Sequence, residues 1–171
     1  FVFIKFLTSM LLTKHKNKGT KRISKLSKAF TLLELLIAVA ILGVAAAIAI
    51  PIYTQYTVKL DNAIAVTDIV NIQVAVESYY QANDVYPNSL TDVNMNLVLD
   101  PWGIAYEYLN LAGAPIGLMR KDQALVPINS DYDLYSMGPD GASVAPLTAA
   151  TSRDDIVRAN NGSFIGIASD Y

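Results

Sequence analysis

One carboxylate interrupts a long apolar run. Glu34 is the only charged residue between Phe30 and Tyr53 in FTLLELLIAVAILGVAAAIAIPIY. A carboxylate inside hydrocarbon costs about 2.5–3.5 kcal/mol even on the lenient insertion scale, so Glu34 calls for a cationic partner or for a route to the headgroups. The rest of the chain offers little for covalent chemistry. There is no cysteine, the one histidine is His15 in a basic N-terminal stretch, and the acidic residues near the C-terminus cluster in turns. Disulfide scaffolds, zinc ribbons and thiol chemistry are excluded, and no nucleophile and base stand together to suggest an enzyme.

The elements that must hold Glu34 follow from the charge pattern. Of 13 basic residues, eight precede position 30, and all 15 acidic residues come later. Five basic against 15 acidic residues from Phe30 onward leave a formal charge of −10, which argues against nucleic acid as a partner of the main body. The opening FVFIKFLTS lacks methionine and is expected to lie upstream of a start at Met10. A basic, acid-free segment, KHKNKGTKRISKLSK, then leads into the apolar run. As a helix the 24 residues from Phe30 to Tyr53 span about 36 Å, enough for the ~30 Å core of a bilayer. The one-sided basic flank orients such a segment with its N-terminus in the cytoplasm. A cleaved secretory signal and a plain uncleaved anchor are the competing readings, and neither accounts for Glu34.

Beyond Pro51 the apolar residues fall at helical spacing for more than 30 positions. Ile52, Tyr56, Leu60, Ala63, Val66, Val70 and Val74 form one stripe; Ile69, Ile72, Val76 and Tyr80 form a second on the far side. A helix apolar on two sides needs two partners: here its own head on one side and neighbouring copies on the other. Periodicity alone leaves open a helix buried wholly within one domain. Asn83, Asp84 and Pro87 are expected to stop the helix. Short β-prone runs follow at 104–111, 124–128, 131–137 and 163–169, each bounded by Gly, Pro, Asn or Asp. The expected fold class is α+β, one long N-terminal helix with a small antiparallel sheet packed on its second half.

The join SKAFTLLELLIAVAILGVAAAIAIP resembles the class III signal of type IV pilins and type II secretion pseudopilins. The resemblance implies a leader, residues 1–29, cut by a prepilin peptidase between Ala29 and Phe30, followed by methylation of the new Phe30 amine. The family usually has glycine where this chain has Ala29. A transmembrane and assembly helix, 30–53, and a periplasmic head, 54–171, complete the implied organisation. Glu34 then becomes the fifth mature residue and is implied to pair with the Phe30 amine of an adjacent subunit. Gly43 and Pro51 both weaken a helix, and the resemblance implies that the stretch between them loosens when a subunit leaves the bilayer.

In the head, LDPWGIAYEY (99–108) and YDLYSMGPDG (132–141) resemble paired signatures of the major pseudopilin of type II secretion. Trp102 is then a packing anchor, with Asp100 and Pro101 setting its turn. The same resemblance implies a calcium ion held by Asp140, Asp155 and the carbonyl of Met137, with Asp154 as an alternative to Asp155. Calcium takes carboxylate and carbonyl oxygens in a flexible shell, and a small head without disulfides gains from such a staple. The implied partners are other copies of the chain in a helical homopolymer, the prepilin peptidase, minor pseudopilins with an inner-membrane assembly platform, and the membrane itself. The implied function is a filament subunit in the bacterial inner membrane, head in the periplasm, that drives type II secretion. A type IV or minor pilin for adhesion, motility or DNA uptake, and an anchored periplasmic module that never polymerises, are the alternatives.

Overall fold

A computed structural model describes residues 30–171; the leader, Ala29 and the expected cut lie outside the described residues. The chain divides into two units between Val44 and Ala45. One long helix, α1 (Leu32–Asn83), belongs to both. In the first unit every residue from Phe30 to Val44 is exposed. Thr31 precedes the helix, and its hydroxyl accepts the Glu34 backbone N–H at 3.2 Å, which satisfies one of the donors left open in a first turn. The apolar part of α1 is long enough to cross a membrane.

The second unit holds the rest of α1 and the head. Ala65, Ile69, Ile72 and Val76 are the fully buried residues of α1. They pack against Leu90, Tyr106, Tyr132, Leu134 and Ile156. The helix ends at Asn83 because Asp84 takes a left-handed conformation with φ of +61°, and the chain turns back through Pro87. Tyr86 then stacks on Tyr80 at a ring separation of 4.4 Å.

Four short strands form a fully antiparallel sheet in the order β1 (Glu107–Asn110), β2 (Tyr132–Ser136), β3 (Ile156–Ala159), β4 (Phe164–Ile167). Alternation along β2 and β3 sends Tyr132, Leu134 and Ile156 toward the helix cluster. Val157 and Ala159 point the other way and join Ile128, Leu147 and Ala168 in a second cluster.

Three expected strand regions contain β1, β2 and β4, each shorter than its β-prone run. Two details differ. The run 124–128 is a turn: Asp122 Oδ1 accepts the backbone N–H groups of Ala124 and Val126, and Leu125 has φ of +63°. Its place in the sheet is taken by β3, which lies outside the β-prone runs. β3 and β4 form a hairpin with Ile156 opposite Ile167 and Ala159 opposite Phe164. Left-handed Asn160 and Asn161 and Gly162 turn the chain between them.

Candidate functional site

Two features of the second unit bear on function: the uncovered face of α1, and the polar network that fastens the head. On α1 the two stripes have opposite fates. Ile69, Ile72 and Val76 are buried under the head, whereas Ile52, Tyr56, Leu60, Val70 and Val74 of the first stripe are exposed; Val66, expected on that open stripe, is half-buried and packs against the core instead. The head covers one side of the helix and leaves the other open to solvent. Such a continuous apolar surface exceeds the scattered apolar residues normal for a soluble monomer.

A line of polar side chains beside the buried stripe binds the sheet to the helix. The Tyr106 hydroxyl donates to Asp68 Oδ2 at 3.0 Å and the Tyr132 hydroxyl to Glu77 Oε1 at 3.1 Å. Arg158 of β3 lies between the two layers with its side chain 1 % exposed. Its Nε donates to Gln73 Oε1 at 3.0 Å, its two terminal nitrogens grip both oxygens of Asp131 at 2.9 and 2.6 Å, and one of them reaches the Tyr132 carbonyl at 3.2 Å. The guanidinium also lies 3.9 Å from the centre of the Tyr132 ring. Burial alone would lower the Arg158 pKa, but the Asp131 hydrogen bonds and the charges around it outweigh burial and raise it. On the neutral acids burial acts the other way and raises the hydroxyl pKa of Tyr132, Tyr106 and Tyr108.

The Trp102 turn has the expected form. Asp100 Oδ1 accepts the backbone N–H groups of Trp102 and Ile104 at 3.1 and 2.8 Å. Asp100 Oδ2 accepts the Ser136 hydroxyl, which ties the turn to the end of β2. Trp102 packs against the helix-facing core.

The residues expected around calcium are arranged differently from one another. Asp155 is fully buried, and its Oδ2 accepts from the Arg120 guanidinium and from the Ser143 hydroxyl. Burial pushes the Asp155 carboxyl above the usual carboxylate range, against the pull of Ser143 and Arg120. Asp140 is exposed and caps its own turn, with Oδ1 accepting the Ala142 N–H at 2.8 Å. Asp154, not Asp155, faces the Gly138 turn. A Cβ on Gly138 would stand 2.6 Å from the Asp154 carbonyl oxygen, and Gly138 has φ of +65°, so both space and backbone require glycine there. Met137 is half-buried and directly precedes that glycine. Among the described residues, no three His, Cys, Asp or Glu side chains converge as a metal site. The expected set fits a calcium ion poorly, because Asp155 Oδ2 already holds a guanidinium and Asp140 Oδ1 already caps its own turn.

The residues that sequence reasoning missed are the buried arginines. Only five basic residues follow Phe30, and two of them, Arg120 and Arg158, are buried among carboxylates. Their spacing from Asp155 and Asp131 gives no local signal. The one usable hint was the Asn-Asn-Gly turn at 160–162, which marks the hairpin and so places Arg158 on a strand.

The comparisons with known proteins agree with this architecture. Residues 24–50 match the family described as "Prokaryotic N-terminal methylation motif". The chain is 31 % identical over 133 residues to the "Type II secretion system core protein G" of Klebsiella pneumoniae, covering 75 % of this chain and 91 % of that one. It is 30 % identical over 135 residues to the protein of the same name in Escherichia coli strain K12, covering 67 % and 83 %. It is also 27 % identical over 143 residues to a "Fimbrial protein" of Neisseria meningitidis, covering 77 % and 82 %. With a methylation motif at the start of an apolar helix and a small antiparallel head behind it, the chain belongs to the family of the type II secretion system core protein G.

Proposed function

We propose that the chain is the major structural subunit of a periplasmic filament that drives type II protein secretion. The observation that carries this reading is the division of α1: its second stripe is sealed by the head, and most of its first stays exposed. A face of that kind is hidden only by neighbouring copies or by the bilayer. The basic leader stays on the cytoplasmic side, the cut falls between Ala29 and Phe30, and the α-amine of one subunit neutralises Glu34 of the next. Prepilin peptidase, minor pseudopilins and an inner-membrane platform are the further partners this role requires. The work is mechanical, in keeping with a structural family that supplies no catalytic centre.

Fibrous relatives such as the Neisseria protein support a second reading, a type IV pilin. Deleting the gene in its host distinguishes the two. The secretion reading expects loss of protein release into the medium, restored by the wild-type gene, with surface fibres and surface motility unchanged. Normal secretion with missing fibres overturns it.

A further inference from the structure

The loop between β2 and β3 closes on a positive charge that the chain itself supplies. We infer that the Arg120 guanidinium is the built-in cation of this loop and replaces the calcium ion expected from the resemblance, so that the head folds without calcium. The inference concerns the folding of the head and stands whichever filament the chain builds.

The contacts of Arg120 are those an ion would otherwise collect. One terminal nitrogen donates to the Ser143 hydroxyl and to the Val144 carbonyl, and the other to Asp155 Oδ2. The guanidinium lies 4.2 Å from the centre of the Tyr135 ring on β2, so it touches the strand before the loop, the loop itself and the residue that leads into β3. The backbone of Arg120 is fixed as well: its N–H donates to Asp133 Oδ2 at 2.7 Å and its carbonyl accepts the Ile128 N–H at 3.0 Å. Arginine keeps its charge under any burial. With Arg120 and Asp155 side chains 3 % and 0 % exposed, the two neutralise each other out of reach of water.

Calcium needs six to eight oxygens, and several of those near this loop are committed. Asp155 Oδ2 has two donors, the Val144 carbonyl accepts from both Arg120 and Ser152, and Asp140 Oδ1 is held by Ala142. Among the described residues, two buried polar side-chain atoms lack a hydrogen-bond partner here, Asp155 Oδ1 and Arg120 Nε. They are an acceptor and a donor of the same ion pair. A side-on fork, in which Nε faces Oδ1 as the terminal nitrogen faces Oδ2, satisfies both. A divalent ion on Oδ1 satisfies only the carboxylate, leaves Nε orphaned and sets a second cation against the guanidinium.

The test is thermal unfolding of the full chain in detergent micelles, followed by near-ultraviolet circular dichroism, in excess EDTA and in millimolar calcium chloride. The two midpoints should agree within about 2 °C, and a larger fall in EDTA overturns the inference. Arg120→Met should lower the midpoint by about 10 °C in both buffers, as breaking a buried pair does, and Arg120→Met with Asp155→Leu should recover most of that loss. An Arg120→Met chain that melts like the wild type overturns the inference. Should Arg120→Met fail to fold, terbium luminescence on the wild-type chain decides the matter. No saturable signal is expected, and saturable emission that calcium competes away contradicts the built-in cation.

Discussion

Replacing Arg158 by methionine tests how the head is fastened to the helix. Methionine keeps most of the apolar stem but removes the donors to Gln73, to both oxygens of Asp131 and to the Tyr132 carbonyl. Asp131, with a side chain 13 % exposed, keeps only the Tyr132 N–H at 2.6 Å as a partner for Oδ1. Breaking a buried pair by removing one member costs about 3–5 kcal/mol, because the other charge is left uncompensated. For a chain of this size that corresponds to a fall in melting temperature of about 6–20 °C. The natural assay is near-ultraviolet circular dichroism of the full chain in detergent, since the Tyr132 ring beneath the guanidinium reports on the same junction. Adding Asp131→Leu to Arg158→Met should recover about 2 kcal/mol of the loss, as expected for coupled neighbours. A single-variant shift below about 3 °C, or a double variant no better than the single, would refute the idea that this ion pair holds the guanidinium in place against Gln73 of the helix.

Three further outcomes follow from the same geometry. Glu34→Gln keeps a side chain able to cap the first turn while removing the charge, so it should insert in the membrane normally and fail to enter filaments; normal polymerisation of this variant would mean that charge pairing is not what drives assembly. Val74→Asp, on the exposed stripe at 60 % exposure, should change stability by no more than ~0.5 kcal/mol yet abolish filaments seen by electron microscopy, and unimpaired filaments would show that this face is not an interface. The folded-state pKa values of Tyr106, Tyr108 and Tyr132 are raised above 10.0, so their contribution is fully present below pH 10 and lost as pH rises toward the folded values. Each such tyrosine steepens the alkaline loss by about 1.4 kcal/mol per pH unit, so phenolate absorbance and unfolding should rise together; their ionisation in a chain that keeps its native dichroism would contradict the burial argument.

Much of the fold could be read from the residues. Two apolar stripes at helical spacing gave α1, and Asn83 to Pro87 marked its end, because a long periodic pattern and a left-handed turn residue are both local signals. β3 was hidden because Ile156–Ala159 is only four residues long and carries Arg158, a residue that usually points to solvent. Its burial depends on Asp131 and Gln73, which lie 27 and 85 positions away. The same reason hid Arg120: the loop aspartates look like metal ligands until a cation 35 positions upstream of Asp155 is brought beside them. Gly43 remained an expectation at both levels. A Cβ there would meet no atom within 4 Å in the single chain, so close packing inside one subunit does not explain the glycine.

Filament assembly as proposed needs a new amine at Phe30 to meet Glu34, and the N-terminus of the protein recovered from its native membranes measures this directly. Intact-mass and fragment-ion spectrometry should find a chain that begins at a methylated Phe30. A chain that still carries the lysine-rich segment before Phe30, or one that begins beyond Pro51, would contradict it.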